Sequence, residues 1–475
     1  MKRVTVALVA VVATLAAREA SAACAGRPTD SGGLNGYDYG AAEVASFALT
    51  KVRVHYAKTG AHAPVLTSTR ADGVPDSVAY AAETGETALR EFAEWGYHAV
   101  PSDTACPSNG GDDKVDIYLV KFNGADGSTI VECNGGACSS FALVESTFKN
   151  RGYADAEEGF RTVVTHELFH AVQNTYKPGD ASFWAEGTAQ WAMKRVHPEL
   201  ADFERALPAF FAEPTRSLDA PPSGVTAGYL YGASVWPLFL SLRHGPDFIR
   251  SVYEKEETGA EPLPAIDELL KAKGSSLADE YPLFGAWNVG TKDVASTGGY
   301  PDAAKYPGVK MGQLADGLSA ITSGLSYFAY RGKLSGEAAI ALETDATRNG
   351  GVVVPFENGT LQLAKAKKLP ANADGEVLVV VAGVTTKKSD APFTIRFADP
   401  LPPDAETPDG GGASTGPGVD APPAAGTSSG GDDGGCRSAP SSETPAGAAF
   451  LALLALVALG KARSEDRALG SRRRP

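Results

Sequence analysis

The run Thr165-His166-Glu167-Leu168-Phe169-His170 sets two imidazoles four residues apart, with a carboxylate beside the first. From Phe160 to Tyr176 there is neither Gly nor Pro, and Lys177-Pro178-Gly179 follows, a pattern that predicts a helix closed by a turn. Positions four apart share one helix face, so His166 and His170 can offer ring nitrogens to a single metal ion. Glu167 stands where it could take a proton from water without ligating the metal. The chain holds only 7 His in 475 residues, which puts a chance HExxH arrangement below ~0.01 in probability. The competing reading is a pair of helix histidines satisfied by hydrogen bonds. Catalytic zinc keeps three protein ligands and one open position, so a third ligand is required. The stretch Phe183-Trp184-Ala185-Glu186-Gly187-Thr188-Ala189-Gln190-Trp191 follows a Pro-Gly-Asp turn and reads as a second helix returning past the first. Glu186 is the candidate third ligand; the alternative is a carboxylate that merely complements the dipole of its helix.

Together, HELFH and the later WxEGxA resemble the gluzincin metallopeptidases, the thermolysin and aminopeptidase branch of the zincins. More closely they resemble uncharacterised metalloproteases that carry a MYXO-CTERM sorting tail. The resemblance implies a zincin-like α+β fold, zinc held by His166, His170 and Glu186, and Glu167 as general base. One departure bears on geometry: fifteen residues separate His170 from Glu186, fewer than in the best-known members, so the connection is expected to be tight. Gly228-Tyr229-Leu230-Tyr231-Gly232-Ala233 is similar to the YxxGA stretch of gluzincin aminopeptidases, whose Tyr steadies the oxyanion. That resemblance maps the role onto Tyr229, with Tyr231 as the alternative, and a buried tyrosine at a helix start competes with both. No GxMEN-like run lies upstream to anchor a substrate amine, which argues against an exopeptidase.

These side chains need a scaffold, and the sequence outlines one. Lys51 to Tyr56 alternates like a strand, and so does Asp113 to Phe122, with Val115, Ile117 and Leu119 on one side. Phe141 to Phe148 reads as a further strand. Between them Val78, Ala82, Gly85, Leu89 and Phe92 fall on one helical face. Mixed this way, strands and helices predict an α+β metallopeptidase domain over 23–300, with a helical subdomain at about 195–300 that includes Gly232–Arg243 and Leu277–Trp287. Short β-type runs from Leu325 to Phe397, with turn residues between them, predict a separate small all-β sandwich over 310–398.

Both ends read as addresses. Met1-Lys2-Arg3, an apolar run from Val4 to Ala17, and Ala20-Ser21-Ala22 make a signal peptide over 1–22. Residues 399–435 are a Pro/Gly-rich flexible linker, and 436–475 hold Cys436, an apolar run and an Arg-rich end. This last segment resembles the MYXO-CTERM tails of myxobacterial envelope proteins, which implies processing near Cys436 and display at the cell surface or outer membrane, or release; a plain tail anchor is the alternative. With Cys436 set aside, Cys24, Cys106, Cys133 and Cys138 remain for an oxidising compartment. Of three possible pairings, Cys133 with Cys138 closes a Gly-rich hairpin, which leaves Cys24 with Cys106.

At 43% hydrophobic residues the chain can bury a large core, and its net charge of −14 argues against a nucleic-acid partner. Three functions compete. The first is a surface-displayed zinc endopeptidase acting on a peptide or protein, with membrane association through its tail. The second is an inactive zincin-fold adhesin or binding module. The third is a zinc hydrolase of non-peptide substrates, since ligands do not name the substrate.

Overall fold

The computed structural model describes residues 24–402, apart from 135–136, 181–182, 221–226 and 386–389. The expected signal peptide at 1–22, the linker beyond residue 402 and the tail at 436–475 lie outside the described residues. Strands and helices are mixed along the chain in an α+β arrangement. A five-stranded sheet comes first: β1 (Val44–Ala48), β2 (Val52–Ala57), β3 (Val115–Val120), β4 (Gly127–Asn134) and β5 (Ala137–Glu145). Their spatial order is β1-β2-β3-β5-β4. β2, β3 and β5 run parallel, whereas β1 and β4 lie antiparallel to their neighbours at the two edges.

The central strand β3 is buried at every position, so the alternation seen in its sequence does not mark a wet face. Helix α1 (Asp76–Glu94) crosses over between β2 and β3 and buries Val78, Ala82, Gly85, Leu89 and Phe92. Helix α2 (Ala156–Gln173) is capped by Asp155, whose side chain accepts from the Glu158 N–H, and Glu157 and Glu158 place negative charge at its positive end. Helices α3 (Phe183–Val196), α4 (Asp202–Phe211), α5 (Ala227–Gly232), α6 (Val235–His244), α7 (Asp247–Glu257), α8 (Pro262–Ala272) and α9 (Leu277–Val289) follow. The sequence suggests one helix from Gly232; instead α5 ends there and α6 begins at Val235. Pro237 thereby falls in a first helical turn, where its missing N–H leaves no bond unmade.

Both disulfides form, Cys24–Cys106 and Cys133–Cys138, as an exported protein in an oxidising compartment would have them. The first ties the N-terminal segment to the loop between α1 and β3. Next to it the fully buried Arg27 pairs with Asp103 at 2.6 Å and with Glu132 of β4 at 2.8 Å. β4 is thus held from behind as well as by its pairing with β5. Among the described residues no helix is long and apolar enough to cross a membrane.

Beyond α9 the chain forms two further sheets, the larger including Tyr327–Lys333, Asn349–Glu357 and Glu376–Gly383, the smaller including Ala338–Thr344 and Ala391–Ala398. Val353, Val377, Val379 and Val381 face the smaller sheet and pack with Ile340, Phe393 and Ile395. Their neighbours Val352, Val354, Leu378 and Val380 face the other way and join the same core as Phe284 of α9, Trp236 of α6 and Leu168 of α2. The sheets therefore do make a two-layer unit, but one side of it is covered by helices, so solvent does not separate it from the rest of the protein.

Candidate metal centre

α2 carries His166 and His170 one turn apart, and their Nε2 atoms lie 3.0 Å from one another. The chain then doubles back: Gly179 adopts φ +71, its N–H donates to the Asn174 Oδ1 at 2.9 Å, and α3 starts at Phe183. This tight return brings Glu186, in the first turn of α3, against the two rings. Its Oε2 is 3.2 Å from His166 Nε2 and 3.6 Å from His170 Nε2. A tetrahedral zinc with ligands about 2.0–2.1 Å away spaces those ligands about 3.3 Å apart. The three separations straddle that value, so these donors suit such an ion. Among the described residues, no other group of three His, Cys, Asp or Glu side chains lies this close together.

The His170 tautomer agrees with a cation site. Gln173 Nε2 donates to the Ala185 carbonyl at 2.8 Å and to Thr188 Oγ1 at 2.9 Å, which uses both of its N–H groups. Its Oε1 then faces His170 Nδ1 at 2.7 Å and must accept from it, leaving the Nε2 lone pair of His170 turned to the common point. Burial works against a charge on His170, but the Glu186 carboxylate raises it to about 9. Burial likewise pushes Glu186 up, yet the rings of His170 and His166 hold it well below the usual carboxylate range. Two imidazole nitrogens and one carboxylate oxygen converging on one point form a donor set that a divalent cation can use. Gln173 lies three residues after His170 on the same helix, a spacing legible in the sequence although the role was not read from it. Gln173→Leu is expected to weaken zinc binding about 10–100-fold, measured by competition with a chelating dye. Unchanged affinity would mean that the amide orients nothing.

The Glu167 side chain reaches from α2 to β4. The Thr129 hydroxyl is 2.7 Å from Glu167 Oε2 and 2.8 Å from the Glu167 carbonyl. Burial raises this carboxyl above its usual range, opposed by the two rings and by Thr129. Gly127 makes room for it: a methyl group there would stand 2.5 Å from Glu167 Oε1 and 2.6 Å from Val163 Cγ1. Gly127→Ala must therefore displace the carboxylate, and overpacking of this kind costs about 1–3 kcal/mol. The loss is expected as a lower Tm for Gly127→Ala, and a Tm equal to that of the wild type would mean that the site yields without strain. Neither Thr129 nor Gly127 carries a signal in the sequence, because contact between β4 and α2 is decided by tertiary packing.

The two candidate tyrosines part company. Two residues apart on a helix they point about 200° from each other, so one cleft can receive only one of them. Tyr229 is buried away from the metal ligands, packs on Phe210 and reaches the carbonyls of Arg216 and Ser217 at 3.3 Å. The expectation that Tyr229 serves the oxyanion is therefore corrected; Tyr231 occupies the cleft, its ring 5.5 Å from that of His166. Its hydroxyl makes no hydrogen bond among the described residues. The nearby Glu186 charge, and then burial, keep the phenol protonated well above its usual value.

These groups line a cavity of about 750 Å³ bounded on one side by β4 and on the other by α4 and α5. One end is polar and charged, with Asp126, Arg151, Tyr153, Asp202 and Arg205, residues that sequence reasoning did not single out because they come from three separate segments. β4 ends the sheet, so its outer edge is unpaired among the described residues.

Residues 154–295 match a family of unknown function, DUF6055. The matched stretch begins just before α2 and ends after α9, and it contains His166, Glu167, His170, Glu186, Tyr229 and Tyr231. No curated protein matches the chain.

Proposed function

We propose that this protein is an exported zinc-dependent endopeptidase with a zincin-like, gluzincin-type site, in which His166, His170 and Glu186 hold the metal and Glu167 is the general base. The observation that carries the reading is the meeting of two Nε2 atoms and one carboxylate oxygen at 3.0, 3.2 and 3.6 Å from each other. When bound, zinc supplies Lewis acidity, polarising the scissile carbonyl and making water nucleophilic near neutral pH. Glu167, its basicity raised by burial, takes the proton of the attacking water and passes it to the leaving amine. Thr129 engages one of its oxygens, which leaves the other for that exchange. Tyr231 remains protonated and donates to the oxyanion as it develops.

An extended peptide fits this cleft better than a compact substrate, because the free edge of β4 offers main-chain donors and acceptors along one wall. The two disulfides support export, and the resemblance of the tail to sorting segments supports display at the cell surface or release. The test is the purified full chain, with bound metal measured and a mixed peptide pool digested with and without a chelator. About one zinc per chain and internal cuts that chelation abolishes and zinc restores are expected. Stoichiometric zinc with no hydrolysis across a broad library would replace this reading with that of a binding module.

A further inference from the structure

Tyr231 stands on α5, a helix of six residues that is too short to hold its own shape. It packs on α3 and α4, and a second support reaches it from the β unit by way of the segment 214–218. Leu218 N–H donates to the Leu325 carbonyl at 2.9 Å, Tyr327 N–H donates to the Pro214 carbonyl at 2.8 Å, and the Ser217 hydroxyl meets both the Gly324 carbonyl and the Asp219 carboxylate, which share its one hydrogen. The segment 214–218 is thus strapped to the turn 322–327. Tyr229 then reaches from α5 to the carbonyls of Arg216 and Ser217, both on that strapped segment. The turn itself has no slack. Leu325 is fully buried with φ +50, an uncommon conformation for a residue with a side chain. Its N–H donates to the Gly383 carbonyl at 2.9 Å, and its own carbonyl also accepts from Tyr281 of α9 at 2.6 Å. Even a methyl group on Gly324 would lie 2.3 Å from the Thr385 carbonyl.

We propose that the turn 322–327 of the β unit is the anchor that sets the position of Tyr231 in the cleft, with Tyr229 and Ser217 as the positioning residues that connect them. The proposal rests on the reading of Tyr231 as the oxyanion donor. It assigns the β unit a part in the reaction: a spacer between enzyme and tether needs no hydrogen bonds to the wall of the cleft, whereas these run in series from sheet to turn to strap to α5. A phenol that must meet a developing charge within a few tenths of an ångström gains from such a fixed reference, because misplacement weakens a transition-state contact without weakening ground-state binding.

The full chain tests this through Tyr229→Phe, Ser217→Ala, Ser217→Thr and Tyr231→Phe. Tyr229→Phe keeps the ring against Phe210 and removes only the hydroxyl. It is expected to lower kcat roughly three- to tenfold, the worth of one hydrogen bond, with KM and bound zinc unchanged. Amide exchange over 227–234 is expected to speed up by a similar factor while α2 exchanges as before. Ser217→Ala behaves alike, Ser217→Thr restores the hydroxyl and the rate, and the Tyr229→Phe/Ser217→Ala double variant falls short of the sum because both lie on one route. Wild-type exchange over 227–234 in Tyr229→Phe and Ser217→Ala overturns the anchor, whatever the activity. Faster exchange with wild-type kcat, in a protein where Tyr231→Phe does lose turnover, overturns the positioning role and leaves the oxyanion reading standing. Full turnover in Tyr231→Phe overturns that reading instead, and with it the functional half of the proposal.

Discussion

Glu167→Gln is expected to lower kcat by about 10²–10⁴-fold, the usual worth of a general base, and to leave the zinc content at its wild-type value. The substitution keeps the shape of the side chain, and a carboxamide oxygen can still face the Thr129 hydroxyl that now meets Glu167 Oε2. What disappears is the ability to accept a proton. Because this carboxyl is raised by burial, it is a stronger base than an exposed glutamate, so its removal should cost more than the loss of an ordinary surface carboxylate. Metal analysis beside steady-state kinetics separates the two readouts. Wild-type turnover in Glu167→Gln would end the mechanism proposed above, and loss of zinc would show that the residue is a ligand after all.

Glu186→Ala should do the reverse and strike the metal first. Groups that merely orient a ligand typically contribute about 10–100-fold in affinity, so removal of a ligand itself should weaken zinc binding by at least about 100-fold. A second consequence can be read without any metal. The Glu186 carboxylate is the main group raising His170 to about 9, against a burial that favours the neutral ring. With Glu186 gone, His170 should titrate well below that value, near or under the ordinary range for histidine, as followed by proton or carbon NMR of the ring. A His170 that still titrates near 9 in Glu186→Ala would mean that the carboxylate does not control the site, and zinc binding at wild-type affinity would remove it from the ligand set.

The sequence carries some of this site and not the rest. Helix period alone makes His166 and His170 neighbours, and the Pro178-Gly179-Asp180 turn explains why a helix starting at Phe183 brings Glu186 back to them. Tyr229 and Tyr231 differ in another way. Both stand in the same short motif, and the side of α5 that meets the cleft depends on how α4 and the segment 214–218 hold that helix. Residue-type resemblance therefore ranks Tyr229 first, while packing puts Tyr231 beside His166. The β region shows the same limit. Its alternating strands were legible, but alternation cannot tell whether the outward row meets water or another layer, and Val352, Val354, Leu378 and Val380 turn out to meet helices.

What the amino-acid order determined by itself is local: the i, i+4 pair of imidazoles, the helix that carries them and the turn that closes it, the strands, and a pairing of four cysteines in which near neighbours close a hairpin. These follow from backbone periodicity and short loops, which act over a few residues. Only the tertiary structure decided that β4 is the open edge beside Glu167, that Gly127 must lack a side chain, that Tyr231 rather than Tyr229 enters the cleft, and that the β unit braces it. Each of those depends on surfaces far apart in the chain finding the one arrangement that buries them both, and no window of sequence contains both partners.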